Sequence, residues 1–318
     1  MQDDEVVVSE VHVDSDNMLI PDDPLLQLVP ESLRGRLQVG RSRLLVDWSA
    51  SEDAETACGG DLALDDDGDL AVPRPKRRVT LQIDHFLSST LEGVGLQAND
   101  PVQNERWSQV WKASLLLSDF LLHHGSQVLS ERGCLELGCG AGLCGLVAAA
   151  FADWVYCTDA RDEVLALCER NLALNEAFHE ALGSGGGRSR ALVRRLDWAQ
   201  GPPVVAEPPR GPWDWGPEDM EGLGRVGVFL AADVVYDDSL TDHLFELLCC
   251  LATREDQLVY IAQERRVNFS LSLLEVASPA HAHLCHWLDR LKDTGWRVDR
   301  LDTSFPQYLH PYSRDDYL

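Results

Sequence analysis

The chain has 318 residues, 45% of them hydrophobic, and a formal net charge of −26 at pH 7. This length allows one sizeable α/β domain plus an appendage, and no apolar run approaches the roughly 20 residues of a membrane helix. The negative charge argues against direct nucleic-acid binding, because proteins that neutralise phosphates carry clustered Lys and Arg.

Residues 1–104 are predicted to form an acidic, partly disordered extension with some strand. Residues 1–70 carry 18 acidic and 4 basic side chains, a net charge of −14. VVVSEVHV and LQVGRSRLLVDW have strand-like composition, whereas residues 49–70 are too charged to pack. The acidic start does not look like a secretory or mitochondrial leader, so we expect a location in the nucleus or the cytoplasm. The basic cluster PRPKRR at 73–78 is either a nuclear import signal or a solvated linker.

Helical and strand patterns alternate from Trp107 onward. The predicted helices are 108–124, 143–152, 162–175, 240–252 and 283–295. The predicted strands are 133–139, 155–159, 191–195, 227–236, 257–266 and 296–302. Six prolines between residues 201 and 225 predict a surface loop there. The alternation predicts an α/β fold with a mostly parallel, doubly wound sheet and helices on both faces.

The stretch LELGCGAGLCG, residues 135–145, follows the first of these strands. Its glycines permit a tight turn with positive φ and let backbone N–H groups approach a ligand. Asp159 ends the second strand 21 positions after Gly138, where it could accept hydrogen bonds from both hydroxyls of a ribose. Gly140, Gly142 and Gly145 also satisfy G-x-G-x-x-G, so a nicotinamide cofactor and a purely structural turn both remain open at this point.

Three further features favour S-adenosylmethionine as the cofactor. Glu136 lies inside the strand that precedes the glycines, where a buried carboxylate needs a donor such as the methionine ammonium group or nearby backbone. Asp197 and Trp198 follow the third strand, where they could hydrogen-bond and cover an adenine. AADVVYD ends the fourth strand with polar groups directed at the same crevice, a feature that hydride transfer does not require.

The motifs QVWKASLLL, LELGCGAGLCG, CTD, LDW and AADVVYD together resemble the seven-β-strand protein-lysine methyltransferases of the methyltransferase-like group. VYCTDA, CERNLALN, FLAADVVYDDSLTD and ERRVNF resemble the methyltransferase-like protein 22 branch in particular. The resemblance covers roughly residues 79–309. It implies a Rossmann-like methyltransferase domain at 105–318, whose final strand is expected to be truncated or missing because little sequence follows WRVDRLD.

The resemblance also implies roles for individual residues. The cofactor is expected to contact a set of nine residues, spread over the ends of four strands and the start of the first helix. These are Trp111, Glu136, Gly138, Cys139, Gly140, Asp159, Asp197, Trp198 and Ala232. Asp233 and Tyr236 match the family's D-x-x-Y and are the catalytic candidates. Glu264, Arg265 and Arg266 match an E-[KR]-R run that could reach a substrate.

Methyl transfer to a lysine requires a neutral amine in line with the sulfonium methyl group, because a protonated amine has no lone pair. Asp233 is expected to accept hydrogen bonds from that amine, and Tyr236 to shape an aromatic channel. The resemblance implies a basic protein substrate and suggests a nuclear, nucleic-acid-associated one. A catalytically silent binding module and an NAD(P)-dependent oxidoreductase are the alternatives.

Three other sets of residues invite a metal or recognition hypothesis. The nine cysteines include no C-x-x-C pair and mostly lie in apolar stretches, which favours reduced, buried thiols over disulfides or zinc. The histidines of HAHLCH at 281–286 do not converge on a helix as a tetrahedral set, so no metal is predicted. Trp213 and Trp215 either form a recognition surface or cover the edge of the sheet.

Overall fold

The computed structural model describes residues 18–20, 23–29, 31, 37–47, 78–88, 110–176, 178, 190–206, 208, 211–264, 268–270, 275–277, 279–310 and 312. The predictions for VVVSEVHV, for the acidic run 49–70, for residues 73–77 of the basic cluster and for Arg265 and Arg266 fall outside these residues. Within them, no helix is long and apolar enough to cross a membrane.

The described residues form eleven strands and six α-helices. The strands are β1 (Met18–Ile20), β2 (Leu37–Asp47), β3 (Arg78–Ser88), β4 (Gly133–Leu137), β5 (Trp154–Asp159), β6 (Arg190–Arg195), β7 (Val226–Ala232), β8 (Leu258–Ala262), β9 (Asn268–Ser270), β10 (Glu275–Ala277) and β11 (Leu309–His310). The helices are α1 (Lys112–Val128), α2 (Leu143–Ala148), α3 (Asp162–Leu174), α4 (Pro217–Gly224), α5 (Asp238–Leu251) and α6 (Pro279–Asp293).

A five-stranded parallel sheet forms the centre of the fold, in the order β6-β5-β4-β7-β8. The chain runs outward from β4 through β5 to β6, and then returns to the other side of β4 with β7. Strand β4 is buried along its whole length, as expected when helices cover both faces of a sheet. The predicted α/β, Rossmann-like class is confirmed, and the reversal of strand order beside β4 marks where such sheets bind ligands.

A second, antiparallel sheet is built from the N-terminal region. Strands β2 and β3 pair over eleven residues, and β1 and β11 pair with different parts of β2. Val39, Leu44, Leu81 and Ile83 from this sheet are buried in the same core as the helices α1 to α3. The strand composition recognised in LQVGRSRLLVDW is therefore confirmed, while the domain boundary at residue 104 stays a prediction.

Two segments differ from the sequence-based prediction. The proline-rich segment 201–225 contains helix α4, because Pro217 occupies a first-turn position, where its missing N–H costs nothing. The strand predicted at 296–302 is wrong: these residues form neither strand nor helix, and most are exposed. Gly295, with φ of 96°, turns the chain sharply after α6, and its N–H donates to the carbonyl of Lys292.

The last described residues return to the N-terminal sheet. Asp119 of α1 is fully buried and accepts hydrogen bonds from the N–H groups of Tyr308 (2.9 Å) and Leu309 (2.8 Å), as well as from the Tyr312 hydroxyl. Leu309 then pairs with Val46 of β2. Among the described residues, no strand of the central sheet follows β8.

Candidate active site

A cavity of about 630 Å³ opens at the carboxyl ends of β4, β5 and β7. The eleven residues predicted to bind cofactor or to catalyse all line it. They are Trp111, Glu136, Gly138, Cys139, Gly140, Asp159, Asp197, Trp198, Ala232, Asp233 and Tyr236. The structure thus brings the whole predicted set together, and their individual roles stay predictions.

The glycines of the loop after β4 serve two distinct purposes. Gly138, Gly140 and Gly142 have φ of 71°, 51° and 82°, the left-handed region that other residues rarely adopt. Gly145 is needed for close packing instead, because a Cβ there would overlap the Cys157 Sγ and lie 2.5 Å from the Glu136 Oε2. Strands β4 and β5 can pack this closely against helix α2 only because residue 145 has no side chain.

Glu136 lies beneath the loop and is 3% exposed. Its Oε2 accepts a hydrogen bond of 2.9 Å from the Gly145 N–H, in the first turn of α2. The donor that a buried carboxylate needs is therefore supplied by the backbone. Burial raises the pKa of Glu136 to about 8, although the Gly145 N–H and the thiols of Cys144 and Cys157 partly oppose this shift.

Asp159 joins the end of β5 to the glycine loop. Its Oδ1 accepts a hydrogen bond of 2.8 Å from the Ala160 N–H, and its Oδ2 accepts a longer one of 3.4 Å from the Gly140 N–H. Burial raises the pKa of this carboxyl to about 6, against the stabilising effect of these N–H groups. A carboxylate held in this way keeps acceptor capacity for ligand hydroxyls.

Asp197 and Trp198 line the cavity just after β6. Asp197 begins a short 3₁₀ turn at Trp198–Gln200, accepting hydrogen bonds from the Ala199 N–H (3.1 Å) and the Gln200 Nε2 (2.8 Å). This capping role was not anticipated from the sequence. The Trp198 ring packs over the glycine turn, and a Cβ at Gly138 would lie 3.2 Å from its Cζ2.

Asp233 lies directly after β7 in an unusual conformation. Its φ is 54°, and it is one of two non-glycine residues with positive φ in the described part of the chain. Such strain persists only where the surroundings enforce it. The buried carboxylate accepts hydrogen bonds from the Ala113 N–H (3.1 Å), the Gln263 Nε2 (3.2 Å) and the Glu264 N–H (3.1 Å).

These three donors come from the start of α1 and from the residues after β8. Asp233 therefore links three segments at the cavity wall, and the contributions of Ala113 and Gln263 were not predicted. The cap of α5 is provided by Asp237, whose Oδ1 accepts from the Leu240 N–H at 2.8 Å. Asp233 is therefore not the residue that caps α5.

The remaining predicted site residues line the cavity or contact Asp233. Tyr236 is 56% exposed and forms part of the cavity mouth. Trp111 is the N-cap residue of α1, and its carbonyl oxygen accepts a hydrogen bond of 2.6 Å from the Ser114 hydroxyl. Ala232 is the last residue of β7. Glu264 is 8% exposed and lies 3.8 Å from the Lys112 Nζ, so the structure gives it an ion-pair partner within the chain.

The structure also bears on the tryptophan pair and on the histidine cluster at 281–286. Trp213 and Trp215 are 8% and 3% exposed, and the Trp215 Nε1 donates to the Arg195 carbonyl at 2.6 Å, so they cover the edge of the sheet and are not a recognition surface. His283 hydrogen-bonds Asp242 at 2.7 Å. In the described part of the chain, no group of His, Cys, Asp and Glu side chains is arranged to hold a metal.

The described cysteines fall into a buried and an exposed group. Five are buried around the glycine loop and β5: Cys134, Cys139, Cys144, Cys157 and Cys168. Three are exposed on the helices α5 and α6: Cys249, Cys250 and Cys285. All eight are free thiols, and burial raises the pKa of Cys134 and Cys144 well above the usual range.

Comparison with known proteins places these features in a family. The lysine methyltransferase family model matches residues 90–209. Human methyltransferase-like protein 22 is 37% identical over 239 residues, which are 72% of this chain and 54% of that protein. Mouse protein N-lysine methyltransferase METTL21A is 31% identical over 191 residues, which are 56% of this chain and 74% of that protein.

Among solved structures, Haemonchus contortus phosphoethanolamine N-methyltransferase 1, in complex with phosphoethanolamine and S-adenosylhomocysteine, matches with a TM-score of 0.29 and 15% identity. That match covers 48% of this chain and 26% of that one. This chain spans about half the length of human methyltransferase-like protein 22. The resemblance to the methyltransferase-like protein 22 branch is confirmed. The chain belongs to the lysine methyltransferase family.

Proposed function

We propose that this protein transfers a methyl group from S-adenosylmethionine to the lysine side chain of a protein. The observation that carries the proposal is the position of Asp233. Its anchored carboxylate lines the same cavity as the glycine loop and Asp159. Family membership and the name of the mouse relative, an N-lysine methyltransferase, support the same reaction over hydride transfer to a nicotinamide.

The residues of the cavity fit the proposed cofactor. A volume of about 630 Å³ lies in the range of small-molecule sites. The Asp159 carboxylate can accept hydrogen bonds from ribose hydroxyls, and the Trp198 ring can cover the adenine. The loop at Gly138 has no side chain to fill the space beside Trp198 and Val234. Bound S-adenosylmethionine supplies an electrophilic methyl group on its sulfonium.

The other end of the cavity would prepare the lysine. Three N–H groups fix the orientation of the Asp233 carboxylate, so it can accept a hydrogen bond from the amine without reorganising. The walls exclude water, which lowers the pKa of a bound lysine and favours the neutral form that has a lone pair. The exposed ring of Tyr236 would guide the aliphatic part of the lysine at the cavity mouth.

The proposed substrate is a basic, nuclear protein that associates with nucleic acid. The net charge of −26 would attract Lys-rich segments and repel nucleic acid itself. We expect the protein to act in the nucleus or the cytoplasm. A catalytically silent binding module would keep the cavity and bind cofactor but transfer no methyl group, which separates it experimentally from the enzyme.

The test uses the full chain with S-adenosylmethionine labelled in its methyl group and a nuclear protein extract. Wild-type protein should label lysine residues, and Asp233→Asn should reduce the rate about a hundredfold because the positioned acceptor is lost. Asp238→Asn is the matched control, since it removes a neighbouring, exposed carboxylate outside the cavity.

Binding of S-adenosylhomocysteine and thermal melting of each variant show whether the fold is kept. Asp233→Asn with undiminished transfer would contradict the role of the carboxylate. Wild-type protein that binds S-adenosylhomocysteine but labels no lysine in any extract would favour the silent binding module.

A further inference from the structure

One buried side chain outside the cavity joins the N-terminal sheet to the glycine loop. Asn171 of α3 is fully buried. Its Nδ2 donates to the Ala141 carbonyl at 2.8 Å and to the Asp84 carbonyl at 2.9 Å. Its Oδ1 accepts from the Asp84 N–H at 2.8 Å. Ala141 lies within the glycine loop and lines the cavity, whereas Asp84 lies in β3.

The β3 end of this connection is held firmly. The Asp84 carboxylate is fully buried and pairs with the Arg41 Nε at 2.6 Å and the Arg170 Nε at 2.8 Å. Arg170 also reaches the carboxylate of Asp23, with contacts of 2.7 and 2.6 Å. Buried charge pairs with this many hydrogen bonds fix their backbone, because breaking one leaves an uncompensated charge. Asn171 therefore contacts the loop from a rigid support.

The loop end is a place where the backbone could otherwise rearrange. Gly140 and Gly142 flank Ala141, and both have positive φ. The peptide between Ala141 and Gly142 is held on both sides: the Gly142 N–H donates to the Cys139 carbonyl at 2.7 Å, and the Ala141 carbonyl accepts from Asn171. Without the second contact, glycine dihedrals allow this peptide to rotate at low cost.

We propose that Asn171 is a positioning residue, through which the N-terminal sheet holds the glycine loop in the shape that binds the cofactor. The inference rests on the proposed function, since it assumes that the cavity takes S-adenosylmethionine. Asn171 does not line the cavity, so its effect on the cofactor is exerted through the Ala141 carbonyl. The N-terminal strands then contribute to cofactor affinity without touching the cofactor.

Asn175, the residue that directly follows the end of α3, provides a matched control. Its Oδ1 accepts from the Gln82 N–H at 2.8 Å, and its Nδ2 donates to the Gln82 carbonyl at 2.7 Å. Its third hydrogen bond, 2.7 Å, goes to the Asn171 carbonyl within the helix rather than to the loop. The two asparagines thus make the same pair of bonds to β3 and differ in the third.

The experiment compares Asn171→Ala and Asn175→Ala in the full chain. Each variant loses three hydrogen bonds, which are all buried at Asn171 and partly buried in two cases at Asn175, so both should unfold at lower urea concentration. Calorimetry with S-adenosylhomocysteine should show affinity about tenfold weaker for Asn171→Ala and within about twofold of wild type for Asn175→Ala. Equal losses in both variants, or none in Asn171→Ala, would overturn the proposal.

A measurement on the wild-type protein tests the positioning role of Asn171 even if Asn171→Ala does not fold. Because coupling between sites is reciprocal, saturating S-adenosylhomocysteine should slow hydrogen exchange at the Asp84 amide in β3. Slowed exchange at loop residues 140–145 with an unchanged Asp84 amide would refute the connection while leaving the proposed function intact. Wild-type protein that binds no S-adenosylhomocysteine would remove the proposed function and this inference together.

Discussion

The two ends of the cavity are built in different ways. At the end formed by the glycine loop, which we propose binds the cofactor and call the cofactor end, the carboxyl groups of Glu136 and Asp159 are held by N–H groups of the loop and its neighbours. At the end formed by Asp233 and Tyr236, which we propose binds the lysine amine and call the amine end, the Asp233 carboxylate is held by donors from two distant segments, the start of α1 and the residues after β8. The first end is thus made largely by local sequence, and the second by assembly of the whole sheet.

The two ends also differ in exposure. Glu136 is 3% exposed and Tyr236 is 56% exposed. A buried, pre-shaped end suits a ligand that is the same in every reaction cycle, whereas an open end suits a segment of another protein. Substitutions at the cofactor end should therefore disturb the fold and cofactor binding together, whereas substitution of the exposed Tyr236 at the amine end should spare both.

The largest effect is expected for Gly145→Ala at the cofactor end. The new Cβ would overlap the Cys157 Sγ and lie 2.5 Å from the Glu136 Oε2, both buried. Overpacking of this kind costs about 1–3 kcal/mol of unfolding free energy, and pushing α2 away from β4 should make S-adenosylhomocysteine binding undetectable. Urea denaturation and calorimetry measure the two effects.

Gly224→Ala is the control for that substitution. It also places a methyl group on a helical glycine, but a Cβ there meets nothing within 4 Å. Its stability should equal or slightly exceed that of the wild type. A Gly145→Ala protein as stable as Gly224→Ala would show that the contact between α2 and β4 is looser than the structure implies.

An intermediate effect is expected from titration of Asp159. Its pKa of about 6 means that lowering the pH through 6 protonates the carboxyl and removes its capacity to accept from both ribose hydroxyls. The affinity for S-adenosylhomocysteine should therefore fall about tenfold between pH 7.5 and pH 5. Asp159→Asn should bind about tenfold more weakly at pH 7.5, without this pH dependence.

Calorimetry across that pH range checks the assignment. The exposed acid just before β5 serves as control, and Asp153→Asn should keep the wild-type profile. If Asp159→Asn retained the full pH dependence, another group in the cavity would be responsible for it.

The smallest effect is expected at the amine end, for Tyr236→Ala. Loss of an exposed aromatic wall should raise the KM for a protein substrate by about two- to fivefold, as expected for an exposed contact between a lysine and a ring. Tyr236→Phe keeps the ring and should behave like the wild type. S-adenosylhomocysteine affinity should be unchanged in both. Weaker S-adenosylhomocysteine binding by Tyr236→Ala would contradict the distinction between the cofactor end and the amine end of the cavity.

The shape of the glycine loop was predictable from the sequence, because it depends on neighbouring residues. The positive φ of Gly138 and Gly140 follows from the spacing of glycines after an apolar strand. The partners of Asp233 were not predictable, since Ala113 lies 120 positions away and its contact is made by the backbone. A contact made by a backbone N–H leaves no pattern of side chains in the sequence from which it could be predicted.

Two errors in the predicted fold have similar causes. WRVDRLD alternates in the manner of a strand, but pairing needs an adjacent strand edge, and in the described residues none is paired with this segment. Arg297 and Asp299 form an exposed ion pair there instead. Helix α4 was missed because prolines were taken to exclude regular structure, although Pro217 sits at the one part of a helix that accepts proline.

The pairing of β11 with β2 has a consequence for where the chain can be cut. Both ends of the described chain enter one sheet, and Val39, Leu44, Leu81 and Ile83 of that sheet share the core of α1 to α3. Cleavage at the predicted boundary after residue 104 would expose this apolar surface to water and leave Leu309 with no strand to pair with. The smallest fragment that we expect to fold independently therefore begins no later than Leu37.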